Sequence, residues 1–411
     1  MNQKYYICYK ISTGDFKVYN NISKTITTES EKPKKHIFYL PKGYETSDEG
    51  LLLYAEDFKK CAEEMYNDKD THIHYTRYYN DYTAVELVFK TLSKKMFNDH
   101  TKISKTEGKY FESCYNAGLV YCDPRECKTY SYDFSANYPR ILSSKDFIIP
   151  TCEGRECTMT ELPKVLTCGI YRVVITCNHK DIKKVFSFSK DHTYVNTSIE
   201  FARKYQKKFN IKIDLITDDK PNAYIYDNVI TSSKTFSYWF FKLLKLKQKY
   251  PKNSLVKRLM SSLWGHLCQL KTINKSWKSI ESENINIGMT DKCDYIIKDF
   301  YLYDNQEYYE LQDVNQPYKH NIRLKPFITA YARNKIAEIA LQHLSKVVRI
   351  HTDCVSFRKK YEFPNELYLS SEDKTTGYIK WININSYDKR CKCGQMINNK
   401  DRNSHKLMCK E

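Results

Sequence analysis

No apolar run in this sequence approaches the ~20 residues needed to cross a bilayer, so a membrane-spanning protein is not expected. Met1-Asn2-Gln3-Lys4 leads into a mixture of polar and apolar residues, without the apolar core of a secretory leader. A disulfide framework is missing too: the fifteen cysteines are odd in number and scattered singly along a large chain. Reduced thiols in the cytoplasm or nucleus fit that pattern, and a secreted protein does not. There is no internal repeat. Acidic residues are the scarcer charge: Asp and Glu total 49 against 67 Lys and Arg, for a net charge of +18. A polyanionic partner is one reading of that excess. Codon bias is the other, since an AT-rich genome enriches Lys, Asn, Ile and Tyr whatever the function. At 411 residues the chain can bury a sizeable core and is expected to hold two or three subdomains.

What is present is organised around Thr129 to Leu142, TYSYDFSANYPRIL. β-Branched and aromatic residues from Thr129 to Phe134 read as a short buried strand with Asp133 at its end. Ser135-Ala136-Asn137 reads as a turn feeding Tyr138-Pro139, with the proline suited to a first helical position. A carboxylate at a strand end, backed by a turn and a helix start, is placed to hold a divalent metal. Thr235 to Tyr250 and Ser254 to Leu267 read as two helices joined by a Tyr250-Pro251-Lys252-Asn253 turn. On the first, Lys242, Lys245 and Lys249 share a face at i, i+3 and i+7. On the second, Val256, Leu259, Leu263 and Leu267 form a core stripe, while Lys257, Ser261 and Trp264 lie on a different face. Pro326 to Leu344 reads as an amphipathic helix with Ile328, Ala332, Ile336, Ile339 and Leu344 inward. Val347 to Phe357 then reads as strand, turn, strand, with His351-Thr352-Asp353 at the tip.

Three of these stretches resemble, in order and spacing, the polymerase motifs of family B DNA polymerases. The likeness is to the protein-primed branch of phages, linear plasmids and adenovirus-like elements. DFSANYP is similar to the D-x-x-S-L-Y-P-like first motif, KRLMSSLWG to the K-x-x-x-N-S-x-Y-G-like second, and HTD to the D-T-D third. The resemblance covers about Phe111 to Trp381. It implies an α+β right-hand polymerase with an antiparallel-sheet palm, two-helix fingers and a reduced thumb. The implied activity is that of a DNA-directed DNA polymerase, a nucleotidyltransferase acting on primer-template DNA and dNTPs in viral or mobile-element replication. The compartment would be the cytoplasm or nucleus of a host cell.

By the same resemblance, Asp133, Asp353 and the Phe134 carbonyl hold Mg²⁺ or Mn²⁺ for two-metal phosphodiester formation. Tyr138 stacks beneath the incoming sugar and excludes a 2′-hydroxyl. Lys257 and Lys245 neutralise the triphosphate, and Ser261 and Trp264 line the nucleotide where the family has Asn and Tyr. Gly265 lets the nascent base pair approach. A solvated basic face is the competing reading of the first-helix lysines. Tyr115-Asn116-Ala117-Gly118 resembles the family's Y-x-G-G/A element, which puts Tyr115 and Gly118 on template DNA; a plain turn is the alternative. TGYIKW resembles a G-x-x-K stretch, so Lys380 is expected on the primer, with Lys389 a weaker candidate. Two departures stand out: His351 replaces the first Asp of D-T-D, and Cys354 stands where Ser is usual.

The expected division of the chain is 1–104, 105–234 and 269–360 (palm), 235–268 (fingers), 361–390 (thumb) and 391–411. In the first part, KYYICYKI and FKVYN read as strands and Glu56 to Met65 and Tyr82 to Met96 as helices. RYYNDYTAVELVFKTL resembles the third exonuclease motif through Asp81, yet no D-x-E occurs before it. A degenerate exonuclease-like domain without proofreading is expected there, and an ordinary helix cap at Asp81 is the alternative. In the tail, Cys391, Cys393, His405 and Cys409 form C-x-C followed by H-x-x-x-C, suited to a tetrahedral structural Zn²⁺, or else free thiols. A terminal-protein primer or a separate exonuclease subunit would be further partners. A non-catalytic polymerase-like replication factor is the runner-up, and a zinc-finger DNA-binding protein a third possibility.

Overall fold

The first sheet is built from short strands, with Tyr6–Lys10 and Ile37–Tyr39 the most buried and Thr25–Glu29 at the exposed edge. The computed structural model describes residues 4–40, 44–68, 72–77, 81–93, 100–123, 127–250, 254–290, 292–303, 306–363, 367–376, 388–390 and 396–398. β1 (Tyr6–Lys10), β2 (Phe16–Asn20) and β3 (Thr25–Glu29) form an antiparallel meander, and β4 (Ile37–Tyr39) adds in parallel to the free side of β1. α1 (Asp48–Asn67) starts where Ser47 accepts a hydrogen bond from the Gly50 N–H at 3.0 Å, with Asp48 and Glu49 in its electropositive first turn. Its buried residues Leu51, Tyr54, Phe58, Cys61 and Met65 recur every three or four positions. α2 (Asp81–Ser93) and α3 (Lys105–Ser113) follow.

β5 (Val120–Cys122) and β6 (Cys127–Phe134) lead into α4 (Asn137–Leu142). The chain continues through β7 (Ile148–Pro150), β8 (Arg155–Cys157), β9 (Gly169–Thr176), β10 (Thr193–Val195), α5 (Asn196–Lys204) and α6 (Gln206–Phe209). β11 (Lys212–Leu215), β12 (Ala223–Ile225) and β13 (Val229–Thr231) complete this part. β8 to β12 make a sheet of their own, ordered β10-β9-β12-β8 with β11 also on β9. Three helices come next: α7 (Ser233–Lys249), α8 (Ser254–Ser261) and α9 (Leu263–Leu267). β14 (Thr272–Ser276), α10 (Trp277–Ser282), β15 (Ile287–Gly288), β16 (Tyr295–Tyr303) and β17 (Gln306–Asp313) form a further four-stranded sheet with its helix. Last are α11 (Lys325–Gln342), β18 (Val347–His351), β19 (Cys354–Phe357) and β20 (Leu367–Thr376).

The sheet that carries Asp133 is assembled from distant segments. Its order is β20-β6-β19-β18-β5, every pair antiparallel. One core lies against it, with Tyr132, Phe134, Val355 and Phe357 packed on Ile336, Ala337 and Ala340 of α11. A second core joins the N-terminal elements to the helices that follow β13. In it Phe89 of α2 stacks on Phe236 of α7, centroids 5.0 Å apart, and meets Trp239 edge-on. Val256, Leu259, Leu263 and Leu267 are all fully buried there.

Several expectations are refined. The polar stretch after β2 carries β3 and β4. The helical stretch over 196–209 is interrupted at Tyr205, between α5 and α6. That over 254–267 breaks at Ser262, where the Ser261 hydroxyl donates to the Lys257 carbonyl at 2.8 Å and competes with the helical ladder. Pro139 is the third residue of α4, not its first. Within 361–390, Leu367–Thr376 is the edge strand of the sheet carrying Asp133. Lys380, Cys391, Cys393, His405 and Cys409 lie outside the described residues, as does the side chain of Lys389. Among the described residues no helix is long and apolar enough to cross a membrane.

One buried ion pair ties the layers together. Arg323, immediately before α11, donates to both carboxylate oxygens of Glu107 on α3 at 2.6 and 2.9 Å, and both side chains are fully buried. The same guanidinium donates to the carbonyls of Thr101, Lys102, Thr151 and Asn321. Removing one partner strands a buried charge, so Arg323→Met is expected to cost about 3–5 kcal/mol, read from the urea midpoint of unfolding. A loss below about 1 kcal/mol would show that the pair does not hold these segments.

Candidate functional site

Two adjacent strands bring Asp133 and Asp353 together. In the β6–β19 register Cys354 lies opposite Asp133, and the Phe134 N–H donates to the Asp353 carbonyl at 3.0 Å. Asp353 sits in the two-residue turn of the β18–β19 hairpin, whose other member, Thr352, has φ +62°. That left-handed conformation is disfavoured for a β-branched residue and persists only when neighbours enforce it. Here the Thr352 N–H donates to the Leu119 carbonyl at 2.9 Å. Gly118 packs so closely that a Cβ on it would lie 2.9 Å from Thr352 Oγ1. The turn after Asp133 is left-handed as well, at Ala136 (φ +53°), and is braced by Arg140 Nε donating to the Ser135 carbonyl at 2.8 Å.

Burial and the neighbouring Asp133 both raise the Asp353 carboxyl above its usual range, with Lys257 acting against them. Burial, and then Arg349, keep the His351 imidazole below its ordinary pKa despite Asp133, which favours the neutral ring. Burial and a hydrogen bond to Asp133 push the Cys354 thiol up, so it stays protonated. Tyr138 is driven up to about 12, first by burial and then by Asp353.

Asp133, Asp353 and Tyr138 open onto one cavity of ≈ 410 Å³, which Lys247, Lys257 and Ser261 also line. Phe134 and Asn137 line it too. Lys247 is held below its usual pKa by burial and then by the like charges of Lys257 and Arg140. The Tyr138 ring stacks on Trp264, centroids 4.6 Å apart and planes 21° apart. Gly265 is exposed on α9, and a Cβ there would meet nothing within 4 Å.

Lys245 is elsewhere. Successive helical residues turn by about 100°, so Lys245 and Lys247 lie on opposite sides of α7. Lys245 lines a second cavity with Glu64 and Asp68 of the α1 end, where Lys242 bonds Asp68 and Lys249 bonds Glu64, each at 2.7 Å. The richest lysine stripe on α7 therefore faces acids of the N-terminal part, and Lys247, overlooked in the sequence, faces the carboxylates. The acidic residues near the end of α1 were the available signal.

Tyr115 and Gly118 are placed behind the Asp353 turn by Arg333 of α11. Arg333 donates to the Tyr115 and Ala117 carbonyls at 2.9 and 2.7 Å and lies over the Tyr115 ring. Burial lowers this guanidinium to about 10. Its role had no signal in the sequence.

No protein-family model matches the sequence, and no curated protein does. Solved structures do match. The fold is similar to that of Phi29 DNA polymerase. With its complex with primer-template DNA, the identity is 15% and the TM-score 0.50, over 79% of this chain and 55% of that one. With its complex with single-stranded DNA the values are 15% and 0.50, over 87% and 63%. The chain thus spans less than two thirds of the Phi29 enzyme's length, and at this identity the likeness is one of fold.

Two neighbouring carboxylates, with that of Asp353 raised by burial and by Asp133, suit a hard divalent cation, which would relieve their repulsion. Among the described residues no cluster of three or more His, Cys, Asp or Glu converges for a metal, so the remaining ligands would come from the Phe134 carbonyl, substrate and water. Because the Asp353 pKa is raised in the folded state, its ionisation costs stability. That cost is absent below the ordinary carboxylate pKa and complete above the folded value. Asp353→Asn should therefore raise the metal-free melting temperature near neutral pH by about 2 °C, with the gain shrinking as pH falls. It should also abolish any stabilisation by Mg²⁺ or Mn²⁺. A lower melting temperature at neutral pH would contradict this electrostatic account.

Proposed function

We propose that this chain is a template-directed DNA polymerase that adds dNTPs to a primer 3′-hydroxyl, in viral or mobile-element replication. The observation that carries this reading is the single cavity in which Asp133 and Asp353 face Lys247 and Lys257. Such a site pairs hard-cation ligands with point charges for a triphosphate, as phosphoryl transfer requires. The β20-β6-β19-β18-β5 sheet then serves as palm and α7 to α9 as fingers.

In this reading Asp133, Asp353 and the Phe134 carbonyl hold two divalent cations, Mg²⁺ or Mn²⁺. Bound there, the cations would favour ionisation of the primer hydroxyl and offset charge on the departing pyrophosphate. Lys257 and Lys247 draw the triphosphate to the fingers side, taking the role the sequence suggested for Lys257 and Lys245. Tyr138, kept flat by its stack on Trp264, closes the floor beneath the sugar and leaves no room for a 2′-hydroxyl. Ser261 borders the phosphates, and Gly265 leaves the α9 surface open to the nascent pair. Tyr115 and Gly118 face the template while bracing the Asp353 turn. Residues 1–104 would act as a scaffold without proofreading, which falls to a separate exonuclease. A terminal-protein primer fits the branch resembled. The C-x-C and H-x-x-x-C spacing of the tail supports a structural Zn²⁺.

A second reading, a non-catalytic factor that binds primer-template, is favoured by one observation: a neutral His351 sits where the family motif has its first Asp. Extension of a labelled primer-template with Mg²⁺ or Mn²⁺ separates the two. Wild type should extend, while Asp133→Asn and Asp353→Asn should each lose at least about 10³-fold in rate. Absence of wild-type extension under either metal, with tight primer-template binding retained, would establish the second reading.

A further inference from the structure

We infer that Asn137 is a specificity-determining residue whose amide engages the 3′-hydroxyl of the incoming nucleotide, an inference that rests on the polymerase reading above. Asn137 opens α4 directly after the left-handed Ala136, and directly precedes Tyr138. It is 3% exposed, and among the described residues neither its Nδ2 nor its Oδ1 has a hydrogen-bond partner. Buried amides are nearly always satisfied, so a doubly unmet one calls for an explanation. Asn137 also lines the cavity shared by Asp133, Asp353, Lys247 and Lys257.

The chemistry of the unmet pair narrows the ligand. A phosphate oxygen only accepts, and would leave Oδ1 without a donor. A hydroxyl both donates and accepts, and so answers both atoms of one amide. Tyr138, the next residue, is the side chain placed beneath the sugar, which makes a sugar hydroxyl the nearest candidate. Since Tyr138 bars the 2′ position, the 3′-hydroxyl remains. A site built to bond a hydroxyl discriminates strongly against the analogue lacking it, because its own polar atoms are then left bare.

The test is competitive incorporation of a dNTP against the matching 2′,3′-dideoxynucleotide by the full chain, together with thermal melting without ligand. Wild type should prefer the dNTP, and Asn137→Leu should lower that preference by about tenfold or more. The same substitution removes two unmet polar atoms and keeps the branched shape of the side chain, so the gain offsets the larger volume and the melting temperature should stay near that of wild type. Asn137→Ala should show the same lost preference, which keeps the test open if the leucine variant does not fold. An unchanged dNTP-to-dideoxy ratio in a folded, active variant overturns the inference, as does a large fall in melting temperature with the ratio preserved. Absence of extension by wild type itself would instead overturn the polymerase reading.

Discussion

The antiparallel register of β6 on β19 fixes Asp133 opposite Cys354, and with it the distance from Asp133 to the Asp353 turn. A slip of one residue would carry Asp133 to the other face of the sheet and set Tyr132 or Phe134 in its place, since side chains alternate along a strand. The register is well determined because Tyr132, Phe134, Val355 and Phe357 must all reach the core over α11. Ser131 and Ser356, buried and hydrogen-bonded at 2.7 Å, pin it further. Two left-handed residues, Ala136 three positions after Asp133 and Thr352 directly before Asp353, then turn the chain next to each carboxylate. Strain at these turns is tolerated because the surroundings over-determine them: Arg333 fixes the Tyr115–Ala117 carbonyls, Gly118 and Leu119 fix Thr352, and Arg140 fixes Ser135.

Charge is distributed by helix face. α7 turns Lys242 and Lys249 toward acids of α1 and Lys247 toward the cavity, so one helix both docks on the N-terminal part and supplies a cation to the site. The N-terminal core is continuous with that of α7 to α9. The described residues of the N-terminal part therefore support the helices that carry Lys247 and Lys257. Charge pairing on α1 also removes part of the lysine excess from any account of nucleic-acid binding.

Much of this was legible in the sequence, and the boundary has a physical cause. Asp133, Tyr138, Lys257, Ser261, Trp264 and Asp353 sit in local motifs where strand end, turn and helix start are encoded within a few residues, and the structure gathers them at one cavity and its aromatic floor. Long-range facts were not legible. Which face of α7 meets the carboxylates depends on where α1 docks, so Lys245 was favoured over Lys247. The pairing of β20 with β6 joins segments far apart in sequence, and nothing within 367–376 announces it. Arg333 and Asn137 looked like an ordinary helical cation and an ordinary turn residue until burial and partners were known. The breaks at Tyr205 and Ser262 lie inside stretches whose periodicity continues across them.

The central claim is that the two carboxylates and the two lysines form one site for a metal-bound triphosphate. Equilibrium binding of a dNTP in Ca²⁺, which does not support the chemistry, tests it without turnover. The account predicts binding that requires the cation and is weakened at least about tenfold by Lys247→Ala, but not by Lys245→Ala. Binding that is indifferent to the cation, or equally weakened by both substitutions, would contradict it.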